Sequence, residues 1–239
     1  MNPFNEFNVS ESEFKKVRED LWIIEKWNWD YSLSHQAQKK ALELVQSHTN
    51  LKIIFFCSHP HVFTHGRGLQ KPKKGQTLLL EDFNPELAHL LPYPLHQIER
   101  GGGLTFHYPD QIIIYPITKL NPKSLSLSQL VDQLFRISSE ILTEWGIDHL
   151  THEEELLGLW RKGRKLASMG IAVQKLATFH GMALNYKYDE SMFSALKAFS
   201  PCGLKPSTYV CVDELIKLDD KNASVFVSEF MKRVQYEWK

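Results

Sequence analysis

The sequence of 239 residues predicts a single α+β (mixed α/β) domain, 1–239, in which a mixed, largely antiparallel sheet is flanked by helices. Three observations support this class. Two segments have apolar residues at helical spacing, two others are short continuous apolar runs typical of buried strands, and three short strands follow one another late in the chain. The connections between these last strands are too short for helical crossovers, so we expect antiparallel pairing.

The helical segments are residues 31–46 and 126–145. The first, YSLSHQAQKKALELVQ, collects its apolar residues on one face. The second has the spacing of an amphipathic helix, which Ser124 or Ser126 can cap and Gly146 can end. A third helix is predicted over about 223–238, after a motif-bearing core of about 31–220.

The predicted strands are LKIIFFCS, QIIIYPI, LLGLW, KLASMGIAVQ and ATFHGMALNY. The basic turn RKGR and a second short break separate the last three. Residues 66–97 are rich in proline and lysine, and we expect them to be irregular or partly exposed.

The composition indicates a globular protein with a substantial core, because 43% of its residues are hydrophobic and 23% are charged. The formal net charge is zero, which argues against nucleic acid as the main partner. The apolar runs are too short to span a membrane, and the first residues do not resemble a signal peptide. Three cysteines, an odd number, do not form a disulfide framework. We therefore expect a reduced, cytoplasmic protein.

Two histidine-containing stretches invite a metal interpretation. SHPHVFTH offers His59, His61 and His65, but no accompanying cysteine pair or carboxylate has a familiar ligand spacing. Structural or substrate-adjacent histidines are the favoured interpretation, and a solvated acidic turn is favoured for HLTHEEE. The sequence contains neither a dinucleotide fingerprint nor a phosphate-binding P-loop. We predict no metal ligand and no cofactor.

The three cysteines differ in setting. Cys57 ends an apolar strand and Cys211 lies in TYVCVDEL, so both are predicted to be structural. Cys202 stands between proline and glycine in FSPCGL, where a tight turn leaves a thiol little cover. A reactive thiol also needs a nearby cation or helix N-terminus to lower its pKa, and the spacing alone does not identify one.

Five motifs, in this order, resemble the octanoyl-[acyl-carrier-protein]:protein N-octanoyltransferases: SHPHVFTHGR, RGGGLTFHYPDQIIIYP, GLWRKGRKLASMGIAV, FHGMALNY and FSPCGL. The resemblance implies a fold related to the lipoate and biotin protein ligases. It also implies a covalent mechanism, in which Cys202 matches the acyl-thioester cysteine and Lys165 its partner lysine. The substrate-binding residues that it implies are Arg100, Gly101, Gly102, Gly103, Leu104, Thr105, Phe106, His107, Ser168, Met169, Gly170, Gly181, Met182 and Ala183.

The resemblance also implies the substrates. The donor is octanoyl-acyl carrier protein, and the acceptors are the lipoyl domains of 2-oxoacid dehydrogenases and the glycine cleavage H protein. Glycines allow backbone to approach a ligand closely, which gives the triple glycine a function beside the acyl chain. Arg100 either fixes this loop or meets an acidic carrier protein, and His107 either orients the loop or donates to the substrate. For Lys165, the alternative is a solvated lysine in a basic turn.

The chain departs from the family pattern at one place. The usual His-Gly-Pro-Gly-Gln is replaced by the run from His107 to Gln111, in which Tyr108 and Asp110 stand where two glycines are usual. If either position needs a positive φ, the residue there is strained, tyrosine more than aspartate.

Three other functions compete with octanoyl transfer. An ATP-dependent lipoate–protein ligase would activate free acid and would need no cysteine. A non-catalytic module that binds acylated carrier proteins would tolerate loss of Cys202. A redox thiol protein is the weakest alternative, because no CxxC motif occurs.

Overall fold

The computed structural model describes residues 3–68, 83–153, 156–199, 204–219 and 221–238. The strands are β1 (Phe14–Arg18), β2 (Leu21–Lys26), β3 (Lys52–Cys57), β4 (Val62–Gly68), β5 (Leu95–Gln97), β6 (Gly102–His107), β7 (Gln111–Thr118), β8 (Leu150–Glu153), β9 (Gly158–Arg161), β10 (Arg164–Gln174) and β11 (Ala177–Asn185). The α-helices are α1 (Pro3–Phe7), α2 (Tyr31–Ser47), α3 (Leu127–Glu144), α4 (Glu190–Phe199) and α5 (Ala223–Glu237).

Eight strands form the main sheet, in the order β1-β2-β3-β7-β11-β10-β9-β8. Only the β2–β3 pair is parallel within this sheet, so the predicted mixed, largely antiparallel sheet is confirmed. Helices α3 and α5 cover one face, where Phe56 of β3 meets Phe230 of α5 edge to face. Helix α2 covers the other face, over β3, β7 and β11. None of the helices in the described ranges is long and apolar enough to cross a membrane.

Two tight hairpins join the last three strands of the sheet. Lys162 and Gly163 connect β9 to β10 with φ values of 48° and 77°, and Lys175 and Leu176 connect β10 to β11 with 49° and 63°. Two successive positive φ values give the backbone twist that favours two-residue hairpins. The antiparallel pairing expected from the short connections is therefore confirmed.

Helix α3 is bounded by the residues that the sequence indicates. The Ser126 hydroxyl accepts from the Gln129 amide, and the Gln129 side chain accepts from the Ser126 amide, which satisfies two otherwise unpaired groups. Beyond the helix, Gly146 adopts a φ of 100°, a left-handed conformation that glycine adopts without steric cost. Of the two serines considered as caps, Ser126 is the one that acts.

A second sheet of three strands, β5-β4-β6, lies beside the main sheet and carries α4. Its strands lie partly in residues 66–97, where the sequence indicated irregular or partly exposed structure. Leu95–Gln97, which pairs in parallel with β4, and the end of β4 are regular, whereas the expected partial exposure of Leu95–Gln97 is confirmed. A 3₁₀ helix, Pro85–Leu90, lies between them, and residues 69–82 are outside the described ranges. The sequence of Leu95–Gln97 and of the end of β4 shows no alternation of apolar and polar residues, because pairing with strands distant in the chain stabilises them.

The acidic stretch HLTHEEE is also not a turn in its described part. Leu150–Glu153 forms β8, an edge strand paired with β9, and most of its side chains are exposed. A charged, exposed edge strand discourages pairing with other chains. The turn interpretation was wrong, whereas the expected exposure of these residues is confirmed.

Candidate active site

A narrow cleft lies where the second sheet and the start of α2 meet β10 and β11. It is open on one side and combines small residues, aliphatic side chains, histidines and tyrosines. Its lining residues are Tyr31, Ile98, Arg100, Thr105, His107, Ile113, Tyr115, Ser168, Met169, Gly170, His180, Gly181, Met182 and Ala183.

The cleft floor is made by two predicted substrate-binding segments, 168–170 and 181–183, which face each other across the β10–β11 ladder. In this register Ser168 pairs with Ala183, and Gly170 pairs with Gly181. A Cβ atom on Gly181 would lie 2.1 Å from the Ile114 carbonyl oxygen, so only glycine fits there. The segments are separate in sequence, and strand pairing brings them together.

The glycine-rich stretch contributes to the cleft only in part. Alternation along β6 directs Thr105 and His107 toward the cleft, whereas Leu104 and Phe106 pack in the cluster beneath α4. Leu104 and Phe106 therefore do not line this cleft, and their predicted substrate role stays a prediction. Gly101, Gly102 and Gly103 do not line the cleft either.

The three glycines have different surroundings. Gly102 has a φ of 82°, which disfavours a side chain. Gly101 is exposed, and a Cβ atom placed on it meets no atom within 4 Å. Its carbonyl oxygen lies 3.0 Å from the position that a Cβ atom on Gly170 would occupy. Gly101 is therefore the glycine of this stretch with open space beside the cleft floor.

A buried polar network connects the glycine-rich stretch to the main sheet. Arg100 donates to both the hydroxyl (2.8 Å) and the carbonyl oxygen (2.9 Å) of Thr64. The Thr64 hydroxyl can then donate to Nε2 of His107 (3.2 Å), which places the ring proton on Nδ1, where it is donated to Gln111 (2.8 Å). Gln111 in turn donates to Asn185 (3.2 Å). These contacts support loop fixing by Arg100 and orientation by His107.

Burial keeps the histidines of this region neutral. Burial lowers the pKa of His107 to about 3 and that of His59 to about 4. The pKa of His180 is also lowered well below its ordinary value, first by burial and then by neighbouring positive charges. At neutral pH the cleft wall is therefore polar without being charged at these rings.

Lys165 is buried at the start of β10, with only 6% of its surface exposed. Its Nζ lies 5.4 Å from the centre of the Trp160 ring, and its Cε packs so closely on Gly158 that a Cβ atom there would lie 2.7 Å away. The Lys165 carbonyl oxygen accepts from the amide of Val210 (3.1 Å). The interpretation of Lys165 as a solvated lysine is therefore wrong, because strand pairing takes it out of the exposed turn at residues 162–163.

Cys202 lies outside the described residues, so its predicted role stays a prediction. The other two thiols are buried and free of disulfides. Burial raises the pKa of Cys57 far above its ordinary value and raises that of Cys211 to about 12. Both are protonated at neutral pH, as expected for structural cysteines.

The departure at Tyr108 and Asp110 introduces no backbone strain, because neither residue has a positive φ. Tyr108 is fully buried in the cluster beneath α4, and its hydroxyl lies 3.7 Å from Sγ of Cys211. The tyrosine thus fills space between β6 and the segment that precedes α5. The positive φ considered from the sequence is not present.

The histidines of SHPHVFTH have separate partners. His59 binds the Trp29 carbonyl (2.7 Å) and the Tyr115 hydroxyl (3.0 Å), and is fully buried. His61 binds Asp189, and the side chain of His65 binds that of Gln97. These contacts support the structural interpretation.

Sequence reasoning missed several residues of the cleft: Tyr31, Ile98, Ile113, Tyr115 and His180. The signal for His180 was available, because it directly precedes Gly181 in a motif already singled out. Tyr31 gave no signal, since it was counted only as the first residue of a helix. Its ring stacks on His107 at 6.1 Å, and its hydroxyl has no hydrogen-bond partner in the described part of the chain.

The architecture matches solved structures of known fold. It resembles lipoate-protein ligase A solved with ATP, with a TM-score of 0.64 over 92% of this chain and 85% of that one, at 11% identity. It also resembles the bipartite lipoate protein ligase of Thermoplasma acidophilum, with a TM-score of 0.60 over 93% and 84% at 12% identity. At these identities the likeness shows the fold alone, and it confirms the predicted lipoate-ligase-like fold.

Residues 30–239 match the model of the lipoyl protein ligase A/B catalytic domain, and the chain belongs to this family. The octanoyltransferase of Syntrophobacter fumaroxidans is 32% identical over 196 residues, which are 82% of this chain and 81% of that protein. The octanoyltransferase of Nostoc sp. is 32% identical over 177 residues, 73% of each. These relatives confirm the predicted acyltransferase enzyme and its octanoyltransferase resemblance.

Proposed function

We propose that this protein transfers an octanoyl group from octanoyl-acyl carrier protein to a lysine ε-amine of a lipoyl domain, through a thioester on Cys202. The acceptors are the lipoyl domains of 2-oxoacid dehydrogenases and the glycine cleavage H protein. The observation that carries the proposal is the convergence of three predicted substrate segments on one cleft: parts of 100–107, and the paired segments 168–170 and 181–183.

The cleft suits an acyl chain and its thioester carbonyl. Its floor combines small residues, Gly170, Gly181 and Ala183, with buried methionines, so an alkyl chain that enters would meet apolar surface. Burying eight carbons contributes about 0.8 kcal/mol for each CH₂ group. The hydroxyl of Tyr31 offers a donor on the cleft wall for the thioester carbonyl oxygen.

The first half-reaction exchanges one thioester for another. The Cys202 thiolate attacks the carbonyl carbon of the donor, the bond from that carbon to the carrier's sulfur breaks, and the carrier leaves as a thiolate that takes up a proton. In the second half-reaction the acceptor amine attacks the enzyme thioester and loses a proton, and Cys202 leaves as a thiolate. Since a thioester becomes an amide, the sequence needs no ATP.

Lys165 is the proposed partner of the thiolate. A free cysteine has a pKa of about 8.5, so a neighbouring ammonium increases the nucleophilic fraction at neutral pH. Two observations support this assignment: the buried side chain of Lys165, and the hydrogen bond from Val210, which ties its strand to the segment that follows Cys202 in the sequence. After acylation the thiolate charge is gone, so the Lys165 ammonium gives up its proton more easily, for example to the departing carrier thiolate. The resulting neutral amine of Lys165 can then accept the proton of the incoming acceptor amine.

The experiment that separates transfer from ligation uses one lipoyl domain and two donors. The purified protein is incubated either with octanoyl-acyl carrier protein without nucleotide, or with free octanoate and ATP. We expect octanoylation of the lipoyl-domain lysine only with the first donor. Modification only with octanoate and ATP would assign a ligase, and binding of the carrier without modification would assign a non-catalytic module.

A further inference from the structure

Three side chains with metal-ligating atoms converge beside the cleft: His35 of α2, Glu99 and His180 of β11. Their donor atoms all lie within 4.8 Å of one another. Nε2 of His35 is 3.2 Å from Oε2 of Glu99, and Nε2 of His180 is 3.9 Å from the same oxygen. The residues come from three separate parts of the chain, which is why no sequence spacing revealed them.

The three donor atoms are buried and have no partners other than one another. In the described ranges, no further group hydrogen-bonds to Nε2 of His35, Nε2 of His180 or Oε2 of Glu99. The side chain of His180 is only 2% exposed. Buried polar atoms that lack a full set of partners are rare, and such atoms call for an explanation such as an ion.

The arrangement matches the requirements of zinc. Zinc takes imidazole nitrogen at about 2.0–2.1 Å and carboxylate oxygen at about 2.0–2.2 Å, so tetrahedral ligands stand about 3.3 Å apart. The observed separations of 3.2 and 3.9 Å require only small side-chain movements. Two histidines and one glutamate also form a ligand set that zinc uses when a fourth position is left open.

We propose that His35, Glu99 and His180 bind one divalent transition-metal ion, zinc in the first instance, with a fourth coordination position open toward the cleft. His180 lines the cleft as well, so the ion would lie against the cleft wall.

The surroundings supply an orienting contact and an entry path. Lys39 donates to Oε1 of Glu99 at 2.5 Å, which leaves Oε2 for the metal and holds the carboxylate in place. The side chains of His35 and Glu99 are 22% and 39% exposed, so an ion can enter from solvent.

The test measures metal binding directly and does not depend on acyl transfer. The full-length protein is dialysed against EDTA and titrated with zinc chloride by calorimetry, both as the parent and in a Cys202→Ser background that removes a competing thiol. His35→Ala and Glu99→Gln are compared with the control His89→Ala, an exposed histidine on the 3₁₀ helix. Thermal melting verifies that each variant folds.

We expect one zinc ion per chain in the parent and in Cys202→Ser. In His35→Ala and Glu99→Gln the Kd should rise at least about tenfold, equal to about 1.4 kcal/mol, and His89→Ala should be unchanged. Cobalt(II) bound to the parent should show ligand-field bands without a thiolate charge-transfer band. The proposal is overturned if the parent binds no stoichiometric zinc, if Cys202→Ser abolishes binding, or if both test variants keep the parental Kd.

Discussion

At the residue scale, the three cysteines differ in their ability to act as nucleophiles. The pKa values of Cys57 and Cys211 are raised by burial, so neither supplies a thiolate at neutral pH. Cys202→Ser should therefore lose nearly all octanoyl transfer, whereas Cys57→Ser and Cys211→Ser should retain it, apart from effects on stability. The measurement is the rate of lipoyl-domain octanoylation by each variant. Full transfer by Cys202→Ser would contradict the covalent mechanism.

Lys165 allows a second test, of charge against proton transfer. Lys165→Ala should raise the apparent pKa of Cys202, because the neighbouring positive charge is lost. Lys165→Arg should bring that pKa part of the way back down, but it should not restore the second half-reaction, because arginine keeps its proton. The measurement is the rate of thiol alkylation against pH, with Cys57 and Cys211 replaced by serine. The exposed Lys162, three residues earlier, provides the matched control, Lys162→Ala. An unchanged profile in Lys165→Ala would remove the lysine from the mechanism.

At the scale of the element, the glycines of the glycine-rich stretch can serve either the backbone conformation or the approach of a ligand, and the sequence could not separate these two requirements. Gly102 has a positive φ, so a valine there costs stability whatever the ligand needs. Gly102→Val should therefore lower the free energy of unfolding by about 1–2 kcal/mol or more. Gly101 has open space around its Cβ position and is the better probe.

Gly101→Val should leave the melting temperature nearly constant and slow the acylation of Cys202 by at least about tenfold, or about 1.4 kcal/mol of transition-state stabilisation. The physical reason is steric: the Gly101 backbone lies against Gly170 of the cleft floor, and a branched side chain at Gly101 would hinder close approach of a substrate to this backbone. Gly101→Ala should give a smaller effect in the same direction. The paired measurement is thermal melting and octanoyl-enzyme formation by mass. Acylation at the parental rate in Gly101→Val would reduce the stretch to a turn.

Local sequence signals predicted the elements that depend on local physics. Helix α3 follows from its apolar spacing, the Ser126 cap and Gly146, and the late strands follow from composition and short connections. The parallel pairing of Leu95–Gln97 and the edge strand Leu150–Glu153 could not be predicted, because their partners lie elsewhere in the chain. Only the fold makes such strands favourable.

At the scale of the whole molecule, the buried neutral histidines make stability depend on pH. The pKa values of His59 and His107 are lowered to about 4 and about 3, against about 6.5 in an unfolded chain. Below pH 6.5 the unfolded chain therefore binds protons that the folded chain does not, so stability falls as pH falls toward 4. Each histidine contributes up to about 1.4 kcal/mol per pH unit in this window.

We expect the free energy of unfolding to fall by about 2 kcal/mol between pH 6 and pH 5 from these two residues. The measurement is urea unfolding at a series of pH values from 7.5 to 5. The control is His149→Gln, because this histidine is exposed on the surface and its loss should leave the slope unchanged. A stability that stays constant over this range would show that the two buried rings take up protons in the folded state.

Some residues of the candidate site could be predicted from the sequence, and others could not. The paired segments 168–170 and 181–183, with Thr105 and His107, were found through motifs and do line one cleft. Tyr31 and the group His35, Glu99 and His180 were missed, because folding brings them together at or beside the cleft from distant parts of the chain. A motif identifies functional residues that are close together in the sequence. Residues that only the fold brings together can be recognised only in the structure.

The covalent intermediate is the central claim, and the intact mass of the enzyme tests it most directly. The parent and Cys202→Ser are incubated with octanoyl-acyl carrier protein in the absence of an acceptor, and each is then treated with neutral hydroxylamine. The parent should gain one octanoyl group that hydroxylamine removes and that a lipoyl domain, added instead, takes up on its lysine. Cys202→Ser should gain no hydroxylamine-sensitive group. A parent enzyme that never acquires the group, yet still modifies the lipoyl domain, would contradict the account.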